Sequence, residues 1–599
     1  MENSSLLGLI DFNDSPLPPS KSWSFTFPHA QALLLTHHES YHALSIQFNG
    51  VLYNSASLKQ RLNVTDDISD ATLIMMGFEQ WGSALFSKLE GIFAFGLFDT
   101  QKARLYLVKD RVSIQALYYY HDTKSFQFAS SLKRLSTQNN FDKVLNTAAL
   151  SNYFTYGYIL QPNTIYKNCY KVKSGHFLSF DIDTQKIHEE KYWDLGACYD
   201  TPKLLLDEGA FKEQAKELLI ASIKKRIQGA GNYAASLSGG YDSSTVAAIL
   251  QEMSPHTIKT FTIGFEDESI NEAPDAKKIA SHLGTEHIEH YFSAKDALDI
   301  VPKLSEVYDE PFYDNGSIPT TLLTNIAAGE NIETIFAGDG GDEVFATADD
   351  IERFDSILAT PQPLRNGLFK LLNSIDPSRI PYIKEQKNFP TKYYKFINIL
   401  KAKSIPEMVQ VKMTLFHPQE IQSLIRSDDI TYPSIFDTLY FGKHAQSVDK
   451  VIGSYFKTFM TDGELIKTTQ AFRQKNISIR EPYLDQDLVE FMAKVPAEIK
   501  IKEGIKKNLL KQIAYDYIPK ELLDRPKKGF SVPFSQWMRG ELKPLMMQTL
   551  SEENLKIDGI LDPSYVIKIR NNFLSGKEEY KYKLWSILLY QLWYEKNMR

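Results

Sequence analysis

The sequence has little cysteine, no long apolar run and no strong charge of either sign. Its 599 residues include two cysteines, Cys169 and Cys198, which are too few for a disulfide scaffold or a cysteine zinc site. No run approaches the ~20 apolar residues needed to cross a bilayer, and the N-terminal residues lack the pattern of a signal peptide. The formal net charge of −7 gives no reason to expect nucleic acid or an anionic membrane as a partner. We therefore expect a cytoplasmic protein of about two to four domains.

The most informative stretch is a short apolar run followed by a small, polar, glycine-rich turn and a helical pattern. Residues 233–237 predict a buried strand, and apolar residues recur at helical spacing between 246 and 250. The turn between them reads SGGYDSS, and Ser243 or Ser244 is suited to cap the helix. Such a turn presents backbone N–H groups at a helix N-terminus, which is an arrangement that binds anions.

The turn carries an acidic residue, Asp242, and no lysine. Loops that hold the outer phosphates for γ-transfer carry a lysine, whereas a carboxylate in a phosphate cradle requires a cation such as Mg²⁺ between the two. These residues resemble the SGGxDS loop of the asparagine synthetase family, whose members cleave ATP between the α and β phosphates, adenylate a substrate and release pyrophosphate. The resemblance implies that the ATP-binding residues of this loop are Leu237, Ser238, Gly239, Gly240, Asp242 and Ser243.

A second glycine-rich turn, GDGGDE from Gly338 to Glu343, follows a short strand predicted near residues 334–337. In the resemblance, Gly338 borders ATP and Asp342 is the second Mg²⁺ carboxylate beside Asp242. Asp339 is assigned a catalytic role, because it stands where asparagine synthetases usually have glutamate, at a position linked to the acyl-adenylate step. β-Lactam-forming relatives have tyrosine there.

Further segments match the family at single positions. Ile263, on a strand predicted over residues 259–265, is expected to lie against the adenine ring. Lys507 matches the lysine of a K-x-x-L-R helix start and is assigned to ATP binding, and Lys527 matches the lysine of an RxKxGF segment and is assigned a catalytic role. There it would neutralise charge that builds on the phosphates. The segment at 310–317 resembles a stretch that lines the substrate cleft in the family, and ISIREPYLD at 477–485 resembles a stretch that borders its acceptor pocket. Ser478 stands in place of the family's glutamate, and TTQAFRQK at 468–475 replaces its methionine-rich approach.

The first part of the chain is rich in short strand-like runs, with one helix predicted over residues 71–89 and a sharp turn at Asn49-Gly50. FNGVLYN, Asp70 and LEGIFAFGLFD resemble the glutamine-hydrolysing domain of the same family. The nucleophilic cysteine of that domain is replaced by Glu2, and the family's RGPD segment is absent. A carboxylate cannot replace a thiolate for amide hydrolysis, so we expect a structural or interaction domain without glutaminase activity.

These patterns predict an α/β protein of two domains. Residues 1–200 are expected to form an α+β, Ntn-hydrolase-like sandwich related to glutamine amidotransferases. Residues 201–599 are expected to form an α/β, PP-loop ATP pyrophosphatase-type synthetase domain. Its helical part is predicted over 353–461, with a terminal helix over 567–599.

The resemblance implies an ATP- and Mg²⁺-dependent ligase that adenylates a carboxylate and joins it to an amine. We expect macrolactam closure of a ribosomal (lasso) peptide, acting on a precursor peptide with a companion leader protease as partner. Three alternatives stay open: an ammonia-dependent asparagine synthetase, a β-lactam synthetase-like enzyme acting on a small-molecule carboxylate, and a scaffold without catalysis.

Overall fold

The computed structural model describes residues 6–12, 23–27, 30–34, 36–375, 389–427, 430, 434–525 and 532–599. The chain divides into two compact units, one of residues 1–149 with 159–194 and one of residues 150–158 with 195–599. Sequence patterns predicted a single change of domain after residue 200, whereas this division also assigns the short segment 150–158 to the second unit. Within the described ranges, no helix combines the length and apolarity needed to cross a membrane.

The first unit contains two six-stranded sheets, and neighbouring strands in both are antiparallel. One sheet has the order β10-β8-β9-β1-β3-β2 and the other the order β12-β11-β7-β6-β5-β4. The strands are β1 (Leu7–Asp11), β2 (Trp23–Phe27), β3 (Ala30–Leu34), β4 (Glu39–Tyr41), β5 (Leu44–Leu52), β6 (Gly91–Asp99), β7 (Arg104–Lys109), β8 (Tyr118–His121), β9 (Ser125–Ala129), β10 (Cys169–Lys171), β11 (His176–Asp181) and β12 (Lys186–Lys191).

Apolar side chains from the two sheets share one buried core, as a sandwich requires. Phe126 of β9 stacks on Phe180 of β11, with ring centroids 4.2 Å apart, in a cluster that also contains Phe98 and Leu105. A second core lies against α2 and includes Ile74. The helices here are α1 (Ser55–Arg61), α2 (Asp70–Trp81) and α3 (Leu132–Leu135), with a 3₁₀ segment at Gly82–Lys88.

Two local predictions in this unit are wrong. The Asn49-Gly50 pair does not turn the chain, because β5 runs through it and Gly50 pairs with Phe93 of β6. A Cβ on Gly50 would lie 2.0 Å from the Ile92 carbonyl oxygen, so the glycine permits a close approach of two strands. The helix predicted over 71–89 stops at Trp81, because Gly82 adopts a left-handed φ of 57°.

The second unit is built on a five-stranded parallel sheet of order β15-β14-β13-β16-β17. Its strands are β13 (Tyr233–Ser236), β14 (Lys259–Phe265), β15 (Glu286–Phe292), β16 (Thr334–Phe336) and β17 (Ser478–Arg480). From β13 the chain adds strands on one side and then returns to add β16 and β17 on the other. The strand order therefore reverses between β13 and β16, and the crevice outside the carboxyl ends of such strands is where α/β sheets bind ligands.

Helices surround this sheet, and one of them, α4 (Thr147–Tyr156), begins in the first unit. A π-helix at Phe456–Glu464 joins α18 to α19, and 3₁₀ turns lie at Val301–Lys303, Pro482–Leu484 and Glu578–Tyr580. The other helices are α5 (Leu195–Cys198), α6 (Glu208–Ile227), α7 (Tyr241–Met253), α8 (Ala273–Leu283), α9 (Ala294–Ile300), α10 (Leu304–Val307), α11 (Ser317–Gly329), α12 (Gly341–Val344), α13 (Ile351–Ala359), α14 (Gln362–Asn373), α15 (Phe389–Ile399), α16 (Ile405–Met413), α17 (Pro418–Leu424), α18 (Ser447–Tyr455), α19 (Leu465–Arg473), α20 (Gln486–Lys494), α21 (Ala497–Lys500), α22 (Asn508–Tyr515), α23 (Lys520–Leu523), α24 (Phe534–Arg539), α25 (Lys543–Thr549), α26 (Glu552–Asp558), α27 (Pro563–Leu574) and α28 (Lys581–Asn597).

The C-terminal region forms two helices, α27 and α28, where one was predicted. The chain breaks between them at Gly576, whose φ is 98°. Helix α28 is buried along most of its length, and the indole N–H of Trp585 donates to the Tyr313 carbonyl oxygen at 2.9 Å. This contact holds part of the 310–317 segment against the core of the second unit.

Candidate functional site

The SGGYDSS turn lies at the reversal point of the sheet, directly after β13. Helix α7 begins at Tyr241, and its cap residue Gly240 has no side chain to bond to the first turn. The prediction that Ser243 or Ser244 caps this helix is wrong, because both lie inside α7. The Ser243 hydroxyl instead accepts a hydrogen bond from the Ser238 N–H at 3.0 Å. This bond folds the turn back on the helix N-terminus, which is the arrangement expected of an anion-binding loop.

The second turn, Gly338–Asp342, follows β16 and packs directly on the first. A Cβ on Gly341 would lie 2.2 Å from Asp242 Oδ1, and one on Gly338 would lie 2.8 Å from the Ser243 backbone nitrogen. Gly340 has a φ of 89°, in the left-handed region that glycine adopts at little cost. The glycines of GDGGDE are therefore required by the close approach of the two turns.

Lys507 connects the two predicted magnesium carboxylates. Its Nζ lies 2.6 Å and 2.7 Å from the two carboxylate oxygens of Asp242 and 2.6 Å from Asp342 Oδ1. Burial acts to lower the pKa of Lys507, but the two carboxylates outweigh it and raise that pKa above the ordinary lysine value. A permanent positive charge thus stands between Asp242 and Asp342.

The donor set fits a metal that is shared with a substrate. Proteins hold Mg²⁺ with one or two carboxylates together with substrate phosphates, and Asp242 and Asp342 supply two carboxylates at the anion loop. Across the described ranges, no group of three or more His, Cys, Asp and Glu residues could hold a metal ion alone. These two aspartates are the residues that would hold Mg²⁺, and the bound metal would offset phosphate charge.

A cavity of about 330 Å³ opens between the two turns. One end is apolar and includes Leu237, Ile263 and Phe265, as an adenine site requires. Among the described residues of the lining, the charged ones are mostly acidic. One is basic, Lys467, and six are acidic: Asp242, Glu272, Asp339, Asp342, Glu343 and Glu464.

Asp339 lies in this cavity, and its Oδ2 atom is buried without a hydrogen-bond partner among the described residues. Burial and the nearby Glu464 carboxylate raise the pKa of Asp339 to about 7, and Lys467 opposes the shift. Burial and Asp342 likewise raise the pKa of Glu343 to about 8. Carboxyls that titrate near neutral pH in a ligand cavity are suited to accept and donate protons.

Sequence reasoning missed the pair formed by Glu464 and Lys467. Glu464 ends the π-helix, and Lys467 lies one turn later on α19. The Lys467 ammonium donates to Glu464 and lies 3.5 Å from Asp314 Oδ2. Burial acts to lower the pKa of Lys467, but Glu464, Asp314 and Asp339 raise it above the ordinary value. The i, i+3 spacing was visible in the sequence, but it did not indicate that both side chains enter the cavity.

Residues 482–485, with the sequence PYLD, support the anion loop through Tyr483. The Tyr483 hydroxyl donates to the Asp242 carbonyl oxygen at 2.9 Å, and Asp485 forms a buried ion pair with Arg226 at 2.8 Å. The segment at 477–485, predicted to border the acceptor pocket, does not reach the cavity through Ser478. Ser478 is exposed at the start of β17 and pairs with Thr334 at the opposite end of the sheet from the cavity. Its neighbour Ile479 lines the cavity instead.

Arg525 reaches the anion loop from the segment that was matched to RxKxGF. The Arg525 Nη2 atom lies 3.5 Å from the Ser238 carbonyl oxygen, and a Cβ on Gly239 would lie 2.7 Å from this Nη2 atom. The Arg525 Nη1 atom lies 3.5 Å from Glu272 Oε1. Lys527, predicted to be catalytic, lies outside the described residues, so its role stays a prediction.

Most of the chain is similar in sequence to known proteins. Residues 214–595 match the family model for asparagine synthase, and residues 30–193 match the model for a glutamine amidotransferase domain. The chain belongs to the asparagine synthetase family. It is 25% identical over 565 residues to asparagine synthetase [glutamine-hydrolyzing] 1 of Bacillus subtilis (strain 168), covering 92% of this chain and 85% of the relative. It is 31% identical over 401 residues to putative asparagine synthetase [glutamine-hydrolyzing] 2 of Methanocaldococcus jannaschii, covering 65% of this chain and 72% of the relative. Among solved structures, the NMN synthetase of Francisella tularensis aligns with a TM-score of 0.19 at 14% identity, over 41% of this chain and 92% of that one, which is too weak to support an argument.

Membership in the asparagine synthetase family makes the second unit a PP-loop, ATP-dependent carbon–nitrogen ligase and the first an Ntn-like amidotransferase fold. In the first unit, the matched residue Asp70 has a structural role. Its carboxylate accepts hydrogen bonds from the Leu52 N–H at 2.8 Å and the Ser55 hydroxyl at 2.6 Å. These bonds fix the end of β5 to the start of α1.

Proposed function

We propose that this chain closes a macrolactam in a ribosomal (lasso) peptide, joining an Asp or Glu side chain to the N-terminal amine of the same peptide. The observation that carries the proposal is the acidic cavity beside the anion loop, where Asp339, Glu343 and Glu464 stand with one lysine. The reaction is the AMP-forming amide synthesis of the family, with a peptide amine as the nitrogen source.

The proposed chemistry has two steps. An oxygen of the substrate carboxylate attacks the α-phosphorus of ATP, the bond to the β-phosphate breaks, and pyrophosphate leaves beside Lys507. The amine nitrogen then attacks the acyl carbonyl, AMP leaves with the bonding electrons, and Asp339 takes the proton released by the amine. Holding carboxylate and amine together supplies a proximity advantage of roughly 7–11 kcal/mol.

The charge of the cavity favours a peptide, which carries its own reacting amine, over free aspartate as the substrate. Free aspartate has two carboxylates and one ammonium, and the one lysine among the described residues of the lining is already paired with Glu464. A peptide presents one reacting carboxyl, which loses its charge when it is adenylated, and an N-terminal ammonium that acidic residues attract. This electrostatic match supports a substrate that brings its own amine.

The protonation of Asp339 also suits an N-terminal amine. An α-ammonium has a pKa of about 7.7–8.0 and a lysine side chain about 10.4. With a pKa of about 7, Asp339 is closer in pKa to an α-ammonium than to a lysine ammonium, so it would accept a proton from the α-ammonium at the lower cost. The site is thus better matched to a peptide N-terminus than to a lysine side chain.

Ammonia-dependent asparagine synthesis is the second candidate, and the names of the relatives at 25% and 31% identity favour it. A β-lactam synthetase-like reaction has less support, because Asp339 is not tyrosine. A scaffold without catalysis has the least support, because two carboxylates and a buried lysine converge at the anion loop.

Mass spectrometry of reactions with ATP and Mg²⁺ tests the proposal. One arm contains linear peptides with a free N-terminal glycine and one internal Asp or Glu, and the matched control contains the same peptides with an acetylated N-terminus. A third arm contains L-aspartate with ammonium chloride. We expect the free peptides to lose one water with formation of AMP, while the acetylated peptides keep their mass. Asparagine in the third arm, with every peptide unchanged, would establish the ammonia-dependent synthetase instead.

A further inference from the structure

A second cavity adjoins the anion loop on the side of Tyr241, and we propose that it receives pyrophosphate when that product leaves the loop. This basic groove has a volume of about 430 Å³ and is lined by Tyr241, Ile505, Asn508, Lys511, Gln512, Tyr515, Lys520, Asp524 and Arg525. The inference rests on the AMP-forming step of the proposed function and not on the identity of the acceptor.

The charges of the two cavities are opposite. The described lining of the catalytic cavity has six carboxyl groups and one lysine. Even with Asp339 and Glu343 protonated, as their raised pKa values allow, four carboxylates and one lysine leave a formal charge of −3. The lining of the basic groove has Lys511, Lys520 and Arg525 against Asp524, a formal charge of +2. Pyrophosphate is formed at the boundary between the two, so electrostatic attraction draws it from the acidic cavity into the groove.

Helix α22 leads from one cavity to the other. Its cap residue Lys507 contacts Asp242 and Asp342 at the anion loop. Lys511 follows one turn later, and its Nζ lies 5.0 Å from the centre of the Tyr241 ring. Tyr515 lies one further turn along α22. The Nζ atom of Lys520 lies 5.7 Å from the centre of the Tyr515 ring. Cations therefore recur along the path that the anion would take.

The acidic residue of the groove does not oppose an anion strongly. Asp524 accepts hydrogen bonds from the hydroxyls of Tyr241 and Tyr515, the second at 2.6 Å, and its Oδ2 lies 3.6 Å from Lys520 Nζ. Its charge is therefore partly compensated within the groove, while Lys511 faces the Tyr241 ring. Arg525 spans the boundary, because it lines the groove while it lies 3.5 Å from the Ser238 carbonyl oxygen of the loop. A flexible lysine and a planar guanidinium are both suited to bind phosphate oxygens.

Calorimetric titration of the full-length protein with magnesium pyrophosphate tests this inference. The titration is performed with saturating α,β-methylene-ATP, which occupies the catalytic cavity and releases no pyrophosphate. The variant is the double substitution Lys511→Gln with Lys520→Gln. The matched control is Lys543→Gln with Lys568→Gln, two exposed lysines on α25 and α27 whose replacement changes the net charge equally.

We expect the wild type and the control to bind pyrophosphate beside the ATP analogue, and the groove variant to bind it at least about tenfold more weakly. Complete exclusion of pyrophosphate by the analogue, or equal binding by the groove variant, would overturn the inference. Binding of the ATP analogue is recorded in the same experiment. If the wild type does not bind the ATP analogue, the proposed function is refuted. If it binds the analogue but the groove variant binds pyrophosphate normally, only the inference about the groove is refuted.

Discussion

At the scale of single residues, Asp339 is the base of the proposed amide-forming step. Burial and the nearby Glu464 carboxylate raise the pKa of its carboxyl to about 7. A base must be unprotonated to accept a proton, so the amide-forming step should become faster as the pH rises towards about 7 and level off above it.

Asp339→Asn is therefore expected to separate the two half-reactions. Amide formation should fall by about 10²–10⁴-fold and lose its rise with pH, because the amide side chain cannot accept the proton. ATP–pyrophosphate exchange, which reports adenylation alone, should remain within a few-fold of the wild type. Equal loss of both activities would show that Asp339 acts in adenylation.

Lys507 is the second residue with a decisive position, because it is the cation between Asp242 and Asp342. Lys507→Gln should reduce ATP–pyrophosphate exchange by about 10²–10³-fold, the usual effect of removing one preorganised partner of a developing charge. Lys506→Gln is the matched control, since that neighbouring lysine pairs with the exposed Asp349 and such pairs contribute little. A Lys507→Gln protein with wild-type exchange would contradict the assigned role.

At the scale of elements, the site depends on two turns that contact each other after β13 and β16. Gly341→Ala would place a Cβ 2.2 Å from Asp242 Oδ1, so the turns must separate. We expect a loss of stability of about 1–3 kcal/mol in urea unfolding and a large loss of ATP–pyrophosphate exchange. The control is Gly367→Ala on α14, where an added Cβ meets nothing within 4 Å. Gly341→Ala with wild-type exchange would show that the contact between the turns is not needed.

The strand–turn–helix pattern of this region was predictable from the sequence, because a cluster of glycine, serine and aspartate between an apolar run and a helical pattern is a turn signal. The strand at 233–236 followed from a local pattern, whereas the cavity position of Ile263 followed from the resemblance to the family. The entry of Lys467 and Glu464 was not predictable, because it depends on a π-helix, and no local pattern indicates one. That Ile479 rather than Ser478 lines the cavity was not predictable, because alignment to a motif fixes a sequence position, while the face and end of the strand depend on tertiary pairing.

At the scale of the whole molecule, the division into two units has one feature that sequence patterns missed. Residues 150–158 belong to the second unit, although residues 159–194 return to the first. Phe154 in this segment is fully buried and lies 5.5 Å from the Tyr590 ring and 5.6 Å from the Phe416 ring. Only long-range packing assigns this segment, so composition along the chain could not reveal it.

Phe154→Ala should therefore destabilise the second unit by about 3–5 kcal/mol. The measurement is urea unfolding followed by the fluorescence of Trp585 and Trp593, which are buried in the second unit. Phe126→Ala is the matched control, because that residue lies in the core of the first unit and should leave this transition unchanged. The reverse pattern would contradict the assignment of residues 150–158.

The central claim is that the two turns of the second unit carry out AMP-forming activation of a carboxylate. ATP–pyrophosphate exchange is the most direct test, with acetylated Asp- or Glu-containing peptides and L-aspartate as carboxylates and with α-labelled ATP to identify the product. We predict AMP and exchange for the wild type, and neither for Asp242→Asn combined with Asp342→Asn. Release of ADP would contradict the claim, because it would show cleavage between the β and γ phosphates. No exchange with any carboxylate would also contradict the claim and would favour a scaffold.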